Sequence, residues 1–89
     1  MIEDKSFDKI DYTKLVKGEY DNCVFTNCNF YNINISNFTF NECEFNDCDF
    51  SLSKLNGTIL NDVKFIGCKL LGLHFKDCNN FMLSVNFDN

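Results

Sequence analysis

The chain has no proline, no tryptophan and no arginine, and only one histidine and four glycines in 89 residues. Without proline, every backbone N–H is free to join a ladder. No apolar run approaches the ~18 residues that would span a membrane. The opening MIEDKSFDKI is charged and has no apolar h-region, so no targeting segment is read and a cytosolic location is expected. No glycine-rich phosphate loop, metal triad or dinucleotide fingerprint occurs. The length allows one domain at most, with a narrow core. Eleven Phe and no Trp suit a stack of flat rings.

What is there is a period of five. A bulky residue falls at Tyr20, Phe25, Phe30, Ile35, Phe40, Phe45, Phe50, Leu55, Leu60, Phe65, Leu70 and Phe75, twelve centres in unbroken phase. Two places before each stands Gly18, Cys23, Cys28, Ile33, Phe38, Cys43, Cys48, Ser53, Thr58, Val63, Cys68 or Leu73. Five matches neither the helical period of 3.6 nor the strand period of 2. Residues two apart on an extended chain point the same way. Each five is therefore a short extended piece with two inward side chains, and the other three positions turn a corner.

The corner chemistry agrees. Two places after the centre stand Asn22, Asn27, Asn32, Asn37, Glu42, Asp47, Leu52, Gly57, Asp62, Gly67, Gly72 and Asp77; ten of these twelve are Asn, Asp or Gly. Those residues tolerate left-handed backbone, and Glu42 and Leu52 are the exceptions. Corners that always turn one way give a coil of square section, four fives to a turn. The centres then stack by twenties. Phe25, Phe45 and Phe65 form one column, Phe30, Phe50 and Leu70 a second, Ile35, Leu55 and Phe75 a third, and Tyr20, Phe40 and Leu60 the fourth.

The motif reads C-N-F at Cys28 to Phe30, C-E-F at Cys43 to Phe45, C-D-F at Cys48 to Phe50 and C-K-L at Cys68 to Leu70. In this the chain resembles the pentapeptide-repeat proteins over roughly residues 18–87, and its cysteines resemble the quinolone-resistance (Qnr-type) branch. The resemblance implies an all-β fold, a right-handed quadrilateral β-helix. It also implies binding to DNA gyrase or topoisomerase IV, with a rod that mimics duplex DNA, and protection from quinolones.

The expected structural core is Phe25, Phe30, Phe40, Phe45, Phe50 and Phe65 with Cys28, Cys48 and Cys68. Cys23, Cys28, Cys43, Cys48, Cys68 and Cys78 share one phase of the pattern. Facing inward, they act as small hydrophobes. Cys28, Cys48 and Cys68 stack about 4.8 Å apart, but parallel Cβ vectors do not reach the ~3.8 Å a disulfide needs. Free thiols are expected. The C-x-x-x-x-C spacing is not that of a zinc site. His74 precedes a centre and points out, so it cannot pair with an inward thiol for nucleophilic catalysis. No catalytic residue, metal or cofactor is expected.

Residues 1–17 are expected to be an N-terminal capping segment and residues 18–89 the β-helix. Residues 1–12 lie outside the frame, with Phe7, Ile10 and Tyr12 covering the lower end of the coil. At Cys78 the frame slips: Met82 and Phe87 resume it two residues late, which places an insertion at 79–81. Nothing after Phe87 would cover the upper end, which invites pairing there, either as a homodimer or with the rest of a longer repeat.

Net charge is −5. From Gly18 to Ser53 there are six acids and no Lys; from Lys54 to Asp77 there are four Lys and two Asp. Glu42, Glu44, Asp47 and Asp49 flank the side centred on Phe45, as an acidic ledge across two corners. Such a surface repels nucleic acid and favours a basic protein partner. A second reading has Lys64 one rung above Glu44 and Lys69 one rung above Asp49, as ordinary cross-rung pairs. The two functional expectations are a non-enzymatic acidic module acting on a type II topoisomerase, and a structural or interaction scaffold without that role.

Overall fold

A computed structural model describes residues 1–10, 15–78 and 85–88. Among these residues nine short strands alternate with corners. They are β1 (Ile2–Glu3), β2 (Ser6–Asp8), β3 (Glu19–Asp21), β4 (Val24–Thr26), β5 (Thr39–Asn41), β6 (Glu44–Asn46), β7 (Ile59–Asn61), β8 (Val63–Ile66) and β9 (Val85–Asp88). They form two parallel sheets, in the orders β1-β3-β5-β7 and β2-β4-β6-β8-β9. Tyr20 pairs with Phe40 and Phe40 with Leu60; Phe25 pairs with Phe45 and Phe45 with Phe65. These offsets of twenty are one coil each. The other two walls are held by isolated bridges such as Asn29 to Asp49, Asp49 to Lys69 and Asn34 to Lys54. The architecture is the expected quadrilateral β-helix.

The corners explain the winding. Among the described residues thirteen have positive φ, from Asp4 and Lys9 through Gly72, and each stands two places after an inward centre. Glu42 and Leu52 adopt the same conformation as their Asn and Gly counterparts, at φ 53° and 62°. Their amides are held by the coil above, Glu42 N–H to Asn61 C=O at 2.7 Å and Leu52 N–H to Leu71 C=O at 2.8 Å. The ladder imposes the corner, and the side chain bears a cost of about 1–2 kcal/mol. Asp77 differs from its expected corner role: it closes a 3₁₀ turn over Phe75–Asp77. The coil geometry changes there, just before Cys78, where the sequence frame slips.

The core is a prism of rings. Phe25, Phe30, Phe40, Phe45, Phe50 and Phe65 are buried, as are Cys28 and Cys48; Cys68, on an upper rung, is half-buried. One column runs Phe7, Phe25, Phe45, Phe65 and Phe87, with stacked rings 4.8–5.7 Å apart between centroids. Neighbouring columns meet it edge-on, as Phe40 and Phe50 meet Phe45 at 5.2 and 4.9 Å. Stacked contacts along the axis and edge contacts across it are the two favoured aromatic geometries.

Both ends depart from a strict twenty. At the lower end Ile2 pairs with Tyr20 and Phe7 with Phe25, an offset of eighteen. Residues 1–10 are thus out of phase in sequence but in register in space, and they form the first rungs of the coil. Phe7 packs under Phe25 at 4.9 Å. Tyr12 lies outside the described residues. At the upper end Val63 pairs with Val85 and Phe65 with Phe87, an offset of twenty-two. The segment 79–81, to which the sequence assigns the insertion, lies outside the described residues.

Candidate partner-binding surface

The small inward position does more than save space. Its side chain donates to the carbonyl of a centre in the coil below. Thr58 Oγ1 reaches Ile35 O at 2.7 Å, and Ser53 Oγ bonds Phe30 O. Cys43, Cys48 and Cys68 reach Tyr20, Phe25 and Phe45 carbonyls at 3.3, 3.5 and 3.2 Å. Each bond spans 23 residues. The cysteines are therefore weak donors as well as small hydrophobes. All six are free. Burial pushes the Cys43 thiol up to about 11, and burial with nearby Asp77 does the same at Cys78. Cys48 is held protonated by its neighbour Cys68 and by burial, and the same contact lowers Cys68 to about 7, so the first proton of that pair leaves the more exposed Cys68. Buried, protonated thiols are poor nucleophiles. His74 is exposed on the outer wall. Among the described residues no three His, Cys, Asp or Glu converge to hold a metal ion, and no helix is long and apolar enough to cross a membrane.

Function must then rest on the outer surface. The ledge residues fall into two kinds. Glu42 and Asp47 are exposed on successive corners. Glu44 and Asp49 lie on the walls and are half-buried. Glu44 accepts from Asn46 Nδ2 at 2.9 Å, and Asp49 Oδ1 accepts from the Ser51 amide at 2.9 Å as an Asx turn. The register sets Lys64 beside Glu44 and Lys69 beside Asp49, one rung up.

A larger group of acids appears on the adjoining wall. Glu3, Glu19 and Asp21 lie on the outer face of the four-stranded sheet, in β1 and β3. Its corner column carries Asp4, Asn22, Glu42 and Asp62. The neighbours of these carboxylates are amides. Asn22 Nδ2 donates to Asp4 Oδ1 at 2.8 Å, and Asn41 Nδ2 donates to Asp21 Oδ1 at 2.8 Å and to Glu19 Oε2 at 3.2 Å. Amides orient carboxylates without neutralising them, so the negative field is kept. The spacing of twenty between Glu42 and Asp62 could have revealed this column from sequence. Asp4 could not be placed that way, because its offset to Asn22 is eighteen.

The family model for pentapeptide repeats matches residues 43–79 with eight copies. Residues 43–79 carry pentapeptide repeats. Among solved structures these repeats are similar to full-length QnrB1, described as a plasmid-mediated fluoroquinolone resistance protein. The TM-score is 0.59 at 21% identity, over 74% of this chain and 36% of QnrB1. The chain thus spans about a third of QnrB1's length, and the likeness is one of fold. A trypsin-treated variant of QnrB1 aligns over 96% of this chain and 53% of its own, at 14% identity and a TM-score of 0.48. No match was found among curated proteins.

Proposed function

We propose that this chain is a non-enzymatic acidic binding module that docks on a type II topoisomerase, DNA gyrase or topoisomerase IV, in place of DNA. The observation that carries the reading is the acidic wall. Glu3, Glu19 and Asp21 flank a corner of Asp4, Glu42 and Asp62, and the ledge continues round that corner to Glu44, Asp47 and Asp49. A groove that binds DNA is lined by Lys and Arg to neutralise phosphates, and a rigid carboxylate array complements it. The rigidity comes from the stacked ring core and from corners whose amides are bonded to the coil above. The fold shared with a fluoroquinolone resistance protein supports the choice of partner.

The test is a supercoiling assay with purified bacterial gyrase, with and without ciprofloxacin, at rising chain concentration. Inhibition or drug protection that fades with salt supports the reading, since exposed charges are screened beyond ~8 Å at physiological ionic strength. No effect at tens of micromolar refutes it for gyrase, and the same assay with topoisomerase IV completes the test.

A second reading is a scaffold with no topoisomerase role. It is favoured by Lys64 and Lys69 standing over Glu44 and Asp49, as cross-rung partners that serve the coil alone. Under it, substituting the acids changes stability by about 0.2–1 kcal/mol per pair and changes no topoisomerase activity.

A further inference from the structure

Asn56–Gly57 is the only Asn–Gly pair in the chain, and every other asparagine with a successor is followed by a residue that carries a side chain. An asparagine carboxamide is open to attack by the amide nitrogen of the next residue, and glycine leaves that nitrogen unhindered. Asn56 is exposed on the outer wall, and Gly57 is half-buried at its corner, at φ 75°. The peptide link between them is bonded to both neighbouring coils. Asn56 C=O accepts from Asn37 N–H below at 3.1 Å, and Gly57 N–H donates to Asp77 C=O above at 3.1 Å. An amide held in a ladder keeps its proton and its place, so it attacks only when that bond opens.

The bond on Gly57 differs from those at the corners below it. The amides of Asn22, Asn37, Glu42, Asp47 and Leu52 each reach a carbonyl nineteen residues on, whereas Gly57 N–H reaches twenty on, to Asp77. The chain above has left the extended wall there. Asp77 closes the 3₁₀ turn Phe75–Asp77, with Cys78 N–H on Phe75 C=O at 3.0 Å. That turn is seated by one ring: Phe75 is half-buried and meets Phe65 and Phe87 edge-on at 5.8 and 5.5 Å. A short 3₁₀ turn on a half-buried ring opens more readily than a rung held between two coils. We infer that Asn56–Gly57 is a deamidation site gated by the Phe75–Asp77 turn. When the turn lifts, Gly57 N is freed and attacks Asn56 Cγ. The N–Cγ bond forms, the bond from Cγ to the side-chain nitrogen breaks, and ammonia leaves with the amide proton. Water then opens the succinimide ring, at Cγ to give aspartate or at the main-chain carbonyl to give isoaspartate. The isoaspartate link has one more carbon in the main chain, so the corner no longer fits the frame of five and the turn cannot return to its donor. Opening of the upper coil is thereby made permanent. The chemistry needs no partner, so it is independent of the function proposed for the acidic wall.

The experiment follows Asn56 by peptide mass spectrometry while the whole chain stands in mildly alkaline buffer, folded and in urea. In urea Asn56 is expected to react ahead of every other asparagine. Folding is expected to slow it by at least about tenfold, and Phe75→Ala to speed the folded chain by at least about threefold while far-UV circular dichroism still shows the coil. Amide hydrogen exchange of the parent is the second measurement, and it decides if Phe75→Ala does not fold. Gly57 N–H is expected to show lower protection than Leu52 N–H, whose bond to Leu71 C=O is 2.8 Å. Equal rates at Asn56 in the folded and unfolded chain, or a faster reaction at another asparagine in urea, overturns the inference. So does a rate unmoved in folded Phe75→Ala, or protection of Gly57 equal to or above that of Leu52.

Discussion

Replacing Phe45 by Ala tests the core most severely. Phe45 is fully buried and is the middle ring of its column. It stacks on Phe25 at 4.8 Å and on Phe65 at 5.4 Å, and meets Phe30, Phe40 and Phe50 edge-on at 6.1, 5.2 and 4.9 Å. A buried Phe→Ala change costs about 3–5 kcal/mol in transfer and cavity terms. Five ring pairs, each worth ~0.5–1.5 kcal/mol beyond area, put Phe45 at the upper end, about 5 kcal/mol. A domain of this length has about 4–13 kcal/mol to lose at ~0.05–0.15 per residue. The variant is therefore expected to be largely unfolded or to melt far below the parent. Phe87, the last described ring of the same column, is 57% exposed, stacks on Phe65 and meets Phe75 edge-on, so Phe87→Ala should cost about 1 kcal/mol. Urea denaturation followed by far-UV circular dichroism reads both. A loss below 2 kcal/mol at Phe45, or equal losses at the two positions, would refute the continuous stacked core.

The corners give a paired prediction. Gly57→Ala meets φ +75° and places a Cβ 2.3 Å from Asn37 Oδ1, whereas Gly18→Ala meets nothing within 4 Å; the first should lose about 1–2 kcal/mol and the second at most a few tenths, by thermal melting. Thr58→Val removes the donor to Ile35 O and should cost about 1–3 kcal/mol, again in urea. The thiols set an alkaline limit. Cys43 and Cys78 are raised to about 11 by burial, so the fold favours their neutral form. Stability is full below the unfolded thiol's pKa of ~8.5 and falls as pH rises from there toward 11. Urea midpoints at pH 7, 9 and 10.5 should show the decline, and Cys43→Ser, which cannot ionise there, should make it shallower.

Much of the fold was legible because its rule is local. Centre, small partner and corner recur inside five residues, so the ring columns of Phe25, Phe45 and Phe65 follow from counting. The register changes were harder to read. Ile2 and Phe7 obey the five-residue rule, but their offset of eighteen to Tyr20 and Phe25 has no signal in composition. Residues 1–10 therefore read as a separate cap. Asp77 reads as a corner by residue type, yet its backbone closes a 3₁₀ turn. The candidate surface was half legible. Acids counted along the chain picked out Glu42, Glu44, Asp47 and Asp49. The wall that joins Glu19, Asp21, Glu42 and Asp62 appears only when charges are read up the columns, and Asp4 joins it only through the shifted register. The thiol-to-carbonyl bonds, 23 residues long, depend on which carbonyl lies beneath each inward side chain, and residue type alone does not say.

The most direct measurement of the functional account is the affinity of purified gyrase for three forms of the chain, at about 50 and 200 mM salt. The forms are the parent, a variant with Glu19, Asp21, Glu42 and Asp62 changed to their amides, and one with Lys64 and Lys69 changed to Gln. The account predicts that the parent binds and weakens with salt, that the amide variant loses at least tenfold, and that the lysine variant binds at least as well as the parent. Equal binding by the parent and the amide variant, or binding indifferent to salt, would contradict it.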